Sequence, residues 1–461
     1  MKCSFICCII ILSIICYLEG IIFFMSNLYT FMGGIRLHYD ERERSALKQP
    51  IAVMPAPSQI EIAFPAHGQT ALSVGDTVYL GQLISEDATV KPIHSSVSGR
   101  IGEVKRDDDG YVLSVVIEND GSYVPDSSVV PFSKKLTETS PEEIVDIIKN
   151  AGICETGEGL SVARRIEIAL GGAKRLMVDC TECEPFLASR GRLILERASD
   201  ILNGAKILLR ALEMPFADIV VDNSNIGVIR ALEAAVGSNP LLRIRVVDAK
   251  HPQGDKRLIV NAVTGKETPV REANAQIGYV VFSAEACADI FYAFAKGIPQ
   301  VRRLVTVSGD AINESRVLDV AIGTRIADIV DFCGGFSAEP TKTVCGGLMR
   351  GYEMTSDERS VERSDYAFLF LTDNYKSESK NTDCLRCGKC VKSCPMHLMP
   401  LYLASASRKN NIRRALAMGL KNCIECGTCT HNCPGGVEHV RYIRHAKETY
   451  NSKQAKEAQD E

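Results

Sequence analysis

The same arrangement of four cysteines occurs twice near the end of the chain. It reads CLRCGKCVKSCP at 384–395 and CIECGTCTHNCP at 423–434, which is C-x2-C-x2-C-x3-C-P in both copies. Three cysteines spaced by two residues let one tight loop surround an iron–sulfur cube, whereas the fourth, followed by proline, points away from that loop. This spacing therefore predicts two four-iron clusters and one-electron chemistry.

Each copy is predicted to lend its fourth cysteine to the other copy, as in two-cluster ferredoxins. We expect the first cluster (cluster 1) to be bound by Cys384, Cys387, Cys390 and Cys433. We expect the second (cluster 2) to be bound by Cys394, Cys423, Cys426 and Cys429. The alternative is a pair of zinc sites, but zinc needs neither the third cysteine at the next two-residue step nor the terminal Cys-Pro.

Composition limits what the rest of the chain can be. Of its 461 residues 46% are hydrophobic and 24% are charged, so several domains with apolar cores are expected. The formal net charge of −4 excludes a general basic field for nucleic acid. Eight of the 18 cysteines belong to the two repeated arrangements at 384–395 and 423–434, which we call the cysteine frames. This grouping is typical of metal ligands in a reducing compartment and not of a disulfide framework.

The apolar N-terminal segment, residues 1–24, allows two interpretations. Residues 5–24 contain a single charged residue, Glu19, and are long enough to span a bilayer once. The segment is then either a membrane anchor or a product of start-site choice, with translation starting at Met25. A secretory signal is disfavoured, because export would expose the cluster cysteines to an oxidising compartment.

Between the two ends, the residue patterns predict a multidomain α/β plus β fold. Short β-like segments broken by glycine over 25–135 indicate a barrel-sandwich domain, without the lysine-bearing hairpin tip of a biotinyl or lipoyl carrier. Alternating helices and strands over 140–249 indicate a Rossmann-like α/β domain with parallel strands. Residues 250–350 are predicted to be mostly strands, including RLIVNAVTGKETP at 257–269, and to form a β-grasp module.

The remaining residues are predicted to form the cluster domain and a tail. A polar linker at 373–383 leads into a helical, dicluster ferredoxin-like domain that extends to residue 450. Residues 451–461 are predicted to be a charged tail. Two adjacent clusters store or transfer single electrons, so the substrate chemistry of the protein depends on the domains that precede them.

The order of these domains and several motifs resemble a known family. The motifs are ECEPFL at 182–187, HPQG at 251–254, CGGLMRG at 345–351 and the two cysteine frames. Together they are similar to the RnfC family, a component of the Rnf-type ion-translocating ferredoxin:NAD oxidoreductase, over about residues 26–450. The α/β part is also similar to the 51 kDa NADH-binding subunit of respiratory complex I, and cobalamin-reducing flavoproteins share much of the architecture.

The resemblance implies a peripheral electron-transfer subunit on the cytoplasmic face of the bacterial cell membrane. Such a protein binds two [4Fe–4S] clusters and FMN. It passes electrons between NAD(H) or ferredoxin and the other membrane and peripheral subunits of its complex, coupled to ion translocation. It is an oxidoreductase that is catalytic only within that complex, and the resemblance favours Met25 as the start. Two alternatives stay open. One is a soluble flavin or cobalamin reductase, and the other is a non-catalytic module that carries electrons but has lost nucleotide chemistry.

The resemblance also places the candidate flavin and NADH residues. The family's glycine-rich turn reads close to GMGGAGFPT, whereas this chain has CETGEGLSVAR at 154–164. Gly157 aligns with a family glycine and Gly159 lies one place off. Glu182 and Glu184 belong to the ECEPFL motif, where the family places groups around flavin and nicotinamide. No catalytic residue is assigned.

The altered turn predicts weak flavin and NADH binding by the isolated chain. A glycine-rich turn before a helix binds phosphate because its backbone N–H groups are free and glycine permits close approach. Glu155 and Glu158 place carboxylates in this turn, and a carboxylate repels a phosphate. We therefore expect FMN binding to be weak or absent while the clusters keep their electron-carrying role.

Replacing Cys394 with serine tests the crossed ligand sets. We expect the Cys394→Ser protein to lose cluster 2 and keep cluster 1, so its iron content falls from about eight to about four per chain. Electron paramagnetic resonance of the anaerobically purified protein identifies the missing cluster. Cys426→Ser should lose the same spectral component, and Cys387→Ser the other one. Loss of the component that Cys387→Ser removes would show that each frame binds its own cluster.

Overall fold

The computed structural model describes residues 28–37, 44–85, 92–269, 274–354, 359–375 and 384–460. The N-terminal apolar segment, the proposed start at Met25 and most of the polar linker lie outside the described residues. In the described part, no helix is long and apolar enough to cross a membrane.

The first domain contains one four-stranded antiparallel sheet, as expected for the barrel-sandwich domain. Helix α1 (Ser45–Lys48) and strand β1 (Ala52–Val53) precede it. The sheet strands are β2 (Gln59–Gly68), β3 (Thr77–Val78), β4 (Gly99–Arg106) and β5 (Val112–Asn119). Their order is β2-β5-β4-β3, and their inward residues form a core that includes Ile60, Ile101 and Val115.

The second domain is a parallel α/β layer. Its elements are α2 (Pro141–Asn150), α3 (Val162–Leu170), β6 (Arg175–Asp179), α4 (Ser189–Ala211), β7 (Ala217–Asp222), α5 (Ile226–Val236), β8 (Leu242–Val247), α6 (Lys256–Thr264), β9 (Tyr279–Ser283) and α7 (Ala284–Lys296). The four strands are parallel in the order β8-β7-β6-β9. In such sheets ligands bind beyond the carboxyl ends of the strands, which here precede the ECEPFL and HPQG motifs.

The structure corrects the prediction of a strand in RLIVNAVTGKETP. Residues 256–264 form helix α6, because Asp255 caps its N-terminus by accepting a hydrogen bond from the backbone N–H of Arg257. Gly265 ends the helix in the left-handed conformation, with φ of 72°. The parallel sheet also continues past residue 249, since β9 pairs with β6.

The third domain is a six-stranded sheet with one short helix. Its elements are β10 (Arg302–Ser308), β11 (Arg316–Ala321), α8 (Ile326–Phe332), β12 (Lys342–Cys345), β13 (Tyr352–Glu353) and β14 (Ala367–Leu371). The strand order in this sheet is β1-β11-β10-β14-β12-β13. Strand β1, from the N-terminal part of the sequence, therefore pairs with β11, and β14 extends the module beyond residue 350. The CGGLMRG motif lies in the β12–β13 connection.

The last domain is helical, as expected for the cluster domain. Its helices are α9 (Lys389–Ser393), α10 (Pro400–Arg408), α11 (Ile412–Ala417), α12 (Thr428–His431) and α13 (His439–Asp460). Leu403, Ala415 and Ile443 contribute to its small apolar core. The residues predicted to be a charged tail continue helix α13 as far as Asp460.

Candidate functional site

One set of four frame cysteines lines a small cavity in the helical domain. The set is Cys384, Cys387, Cys390 and Cys433, which the spacing assigns to cluster 1. Leu385 and Leu401 line the same cavity. Because Cys384 and Cys387 are exposed to solvent, this cysteine group lies at the surface of the protein.

The other four frame cysteines lie together on the inner side. Burial raises the pKa of the Cys429 thiol, and the neighbouring thiols of Cys426, Cys423, Cys394 and Cys390 raise it further. Cys394, Cys426 and Cys429 are buried, and Cys423 is half-buried. Cys429 also shares an apolar contact group with Cys390, so the two cysteine groups adjoin.

The eight frame cysteines supply four thiols to each predicted set, and thiolates are the ligands that [4Fe–4S] clusters use. Among the described residues, no group of three or more His, Cys, Asp or Glu side chains is arranged to hold a single metal ion.

Three motifs from the other domains meet at the inner cysteine group. In the HPQG motif, the buried His251 donates a hydrogen bond from Nε2 to the backbone carbonyl of Cys426, at 2.6 Å. Its Nδ1 lies 3.7 Å from Sγ of Cys183, in the ECEPFL motif. Burial lowers the pKa of the His251 imidazole.

The CGGLMRG motif contacts the same loop from the other side. Gly427 has φ of +80°, and a Cβ at this position would lie 2.7 Å from the carbonyl oxygen of Met349. The backbone N–H groups of Met349 and Arg350 donate to Oε2 of Glu184, at 2.7 and 3.2 Å. Residues 423–429 contain three of the four cysteines predicted for cluster 2, and we call them the cluster 2 loop. This loop is therefore held between the α/β domain and the β-grasp module.

A cleft of about 360 Å³ opens between these motifs and the cluster 2 loop. Ile424 and Glu425 of that loop form part of its wall. Of the predicted cofactor residues, Gly157, Glu182 and Glu184 line the cleft, whereas Gly159 is not among its lining residues. The structure thus brings three of the four predicted residues together beside the loop that contains Cys423 and Cys426.

Known proteins match every domain of this chain. Family models match the RnfC barrel sandwich hybrid domain at residues 29–122, the Nuo51 FMN-binding domain at 148–292, the SLBB domain at 304–353 and the 4Fe-4S dicluster domain at 379–438. One subunit of the proton-translocating ferredoxin:NAD(+) oxidoreductase complex of Clostridium ljungdahlii is 32% identical over 404 residues, which cover 84% of this chain and 86% of the relative. The chain belongs to the RnfC family.

Two further proteins are similar to this chain, one in sequence and one in fold. The equivalent component of the Na(+)-translocating ferredoxin:NAD(+) oxidoreductase complex of Acetobacterium woodii is 32% identical over 395 residues, covering 83% of this chain and 88% of the relative. A chain of the NAD+-reducing [NiFe]-hydrogenase in its H2-reduced state has a similar fold, with a TM-score of 0.50 and 15% identity. That match covers 68% of this chain and 63% of the hydrogenase chain.

The cleft of this RnfC-family chain is more acidic than basic. Its acidic lining residues are Glu158, Asp179, Glu182, Glu184, Glu285 and Glu425. Its basic lining residues are Arg190, Lys256, Arg350 and Arg444. Arg190 pairs with Asp179 and Glu285, at 2.7 and 3.1 Å, so its charge is already matched within the protein. Burial raises the pKa of Glu182 to about 7.

Two backbone N–H groups of the altered glycine turn, residues 154–160, already donate hydrogen bonds within the protein. The backbone N–H of Glu155 donates to Leu160 O, and that of Gly157 donates to Ser364 O, both at 2.8 Å. These amides are therefore not free to bind a phosphate. The hydroxyl of Ser161 accepts from the backbone N–H of Arg164 and caps helix α3.

Carboxylates also neutralise the cations nearest the turn. The fully buried Glu155 pairs with Lys256 at 2.9 Å and with Arg165 at 3.3 Å. Lys256 lies 3.0 Å from Glu158, which also pairs with Arg165. The residues of this turn therefore do not fit the phosphate group of a flavin.

Two residues of the site were not singled out from the sequence. The sequence presents His251 and Arg350 only as members of the HPQG and CGGLMRG motifs. The buried contact between His251 and Cys426 joins residues 175 positions apart, so no local pattern could reveal it. The family motif itself was the only signal that pointed to either residue.

Replacing Glu158 with glutamine tests why the turn rejects a phosphate. We expect the unaltered protein to retain far less than one FMN per chain, measured by absorbance after gel filtration. Glu158→Gln should bind added FMN about tenfold more tightly, because it removes a repelling charge and one of the two carboxylates that pair with Arg165 and Lys256. Fluorescence titration measures the change.

Glu138→Gln is the matched control, because Glu138 is exposed and remote from the turn, with 60% of its side chain exposed. This control should bind FMN no better than the unaltered protein. Tight, stoichiometric FMN in the unaltered protein would contradict this account of the turn.

Proposed function

We propose that this chain is an electron-transfer subunit of a membrane-bound Rnf-type complex. The observation that carries this proposal is the arrangement of the frame cysteines. Three cysteines of one group lie on the loop whose Ile424 and Glu425 line the cleft, and the adjoining group lies at the surface. In the proposed function, electrons pass singly through cluster 2 and cluster 1 between the cleft side of the protein and an external partner.

The residues of this chain would bind, orient and shield the two clusters. Cys384, Cys387, Cys390 and Cys433 would hold cluster 1, and Cys394, Cys423, Cys426 and Cys429 would hold cluster 2. Each cluster, when bound, accepts and releases one electron. Burial of the second set excludes water, and the hydrogen bond from His251 fixes the backbone of the loop that carries Cys426.

The names of the relatives suggest the partners. They are subunits of complexes that join ferredoxin and NAD(+) to the movement of protons or sodium ions. We propose that this chain likewise exchanges electrons with ferredoxin or NAD(H), and with other membrane and peripheral subunits, as a peripheral subunit on the cytoplasmic face of the bacterial membrane.

A second candidate function is nucleotide oxidation by this chain with a bound flavin. NAD(H) exchanges a hydride, whereas the clusters take one electron at a time, so such an enzyme needs a flavin as well. The cleft beside cluster 2 and the match to an FMN-binding domain favour this candidate. The occupied amides and the carboxylates of the glycine turn disfavour it.

Reduction of the anaerobically purified chain distinguishes the two candidates. We expect about eight irons per chain and two spectroscopic clusters that a reduced ferredoxin reduces rapidly, whereas NADH alone does not. Rapid reduction by NADH would favour the second candidate. Zinc as the only metal, or clusters that ferredoxin does not reduce, would contradict the proposed relay.

Co-purification tests the assignment to a membrane complex. In cells, the tagged chain should be recovered from the membrane fraction together with other subunits. Recovery as a free protein from the soluble fraction would instead support a soluble reductase.

A further inference from the structure

A buried histidine lies in the cavity of the cluster 1 cysteines. His439 lines this cavity together with Cys384, Cys387, Cys390 and Cys433. It is only 2% exposed, and its Nδ1 has no hydrogen-bond partner among the residues that the structure describes. A buried polar atom without a partner costs free energy, so we expect this nitrogen to find its partner within the cavity.

A sulfur atom of cluster 1 suits Nδ1 of His439 as a partner. A neutral imidazole carries its proton on one ring nitrogen only, and the partners of the two nitrogens decide which one. The sulfur atoms of a [4Fe–4S] cluster accept hydrogen bonds. Because these atoms also carry negative charge, they attract an Nδ1–H group and repel the lone pair of an unprotonated Nδ1. We therefore expect Nδ1 to be the donor.

The internal repeat provides a comparison for His439. His439 is the first residue of helix α13, which follows the second frame, and Pro400 is the first residue of helix α10, which follows the first frame. The two residues are 39 positions apart, as are the two frames. His439 therefore follows the fourth cysteine of cluster 1 at the position where Pro400 follows the fourth cysteine of cluster 2.

The backbone hydrogen bonds near these two positions are the same, whereas the side chains differ. The backbone N–H of Val437 donates to Sγ of Cys433, and that of Leu398 donates to Sγ of Cys394, both at 3.4 Å. A proline side chain has no hydrogen-bond donor, whereas a neutral imidazole has one. At this position the repeat thus gives both clusters the same backbone donor and gives a side-chain donor to cluster 1 only.

We propose that His439 donates a hydrogen bond from Nδ1 to a sulfur atom of cluster 1 and thereby raises the reduction potential of that cluster. Reduction adds negative charge to the cluster, so a hydrogen bond to sulfur stabilises the reduced form more than the oxidised form. This inference rests on the proposed function, since it requires cluster 1 at these four cysteines. In the proposed relay, His439 makes the surface cluster a better electron acceptor.

Replacing His439 with leucine and with asparagine tests the proposal. Leucine has no donor, whereas the amide nitrogen of asparagine can replace Nδ1–H. The reduction potential of each cluster in the full, anaerobically purified chain is measured by a mediator titration followed by electron paramagnetic resonance. At a fixed potential, His439→Leu should lower the ratio of reduced to oxidised cluster 1 about tenfold, equivalent to about 59 mV for one electron. His439→Asn should restore most of this ratio, with cluster 2 and the iron content unchanged in both variants.

His445→Leu is the matched control. His445 lies on the same helix but is exposed, so the same substitution there should leave both potentials unchanged. An equal shift in this control would overturn the proposal, because a general change in helix α13 would then explain the effect. A shift in His439→Asn as large as that in His439→Leu would also contradict it, since the donor would not be the cause.

A measurement on the unaltered chain covers the case in which His439→Leu fails to bind cluster 1. The chain is produced with histidine that contains the heavy isotope of nitrogen, and it is reduced with dithionite. Pulsed electron paramagnetic resonance should detect a coupling of this isotope on the signal that Cys387→Ser removes, and His439→Asn should abolish the coupling. A cluster 1 signal without such a coupling would refute the hydrogen bond.

Two outcomes separate this inference from the proposed function. An unchanged cluster 1 potential in His439→Leu, in a chain that reduced ferredoxin still reduces rapidly, would overturn the inference and leave the proposed function intact. The expected shift in a chain whose clusters ferredoxin does not reduce would support the inference and contradict the proposed function.

Discussion

The attachment of the cluster 2 loop to the rest of the protein is the constraint on which this structure depends. His251 donates to the carbonyl of Cys426, and Gly427 approaches the carbonyl of Met349 too closely for any side chain. A Cβ at Gly33, which precedes helix α1, would lie 2.9 Å from the carbonyl oxygen of Cys394. These contacts fix the inner cysteine group beside the cleft and leave the outer group facing solvent. The order of the two clusters in the proposed relay, with cluster 2 on the cleft side and cluster 1 on the solvent side, follows from this orientation.

The same part of the molecule explains the altered glycine turn. Lys256 and Arg165 are the cations that an anionic ligand at this turn would contact, and Glu155 and Glu158 already neutralise them. A buried carboxylate is stable only when it is paired and hydrogen-bonded, and Glu155 also accepts from the backbone N–H of Ser283. The charged groups of the turn are thus paired within the chain, although Oε1 of Glu155 and Nε of Arg165 are buried without a hydrogen bond.

The sequence specified local features well and distant contacts poorly. The cysteine frames could be predicted because their spacing is a local feature of the sequence. The parallel α/β layer could be predicted because its hydrophobic periodicity is strong. The strand predicted in RLIVNAVTGKETP was wrong because its Ile and Val residues suggested a strand, whereas the Asp255 cap and Gly265 favoured a helix. The roles of His251 and Arg350 could not be predicted, since they arise only when residues from three domains meet.

The central claim is that one cluster lies at the surface and the other lies inside, beside the cleft. Relaxation enhancement of the cluster signals by a dissolved paramagnetic lanthanide complex tests this claim most directly, because the effect falls steeply with distance from solvent. We expect strong enhancement for one cluster and weak enhancement for the other, and Cys387→Ser should remove the strongly enhanced signal. Equal enhancement of both signals, or strong enhancement of the signal that Cys426→Ser removes, would contradict the account.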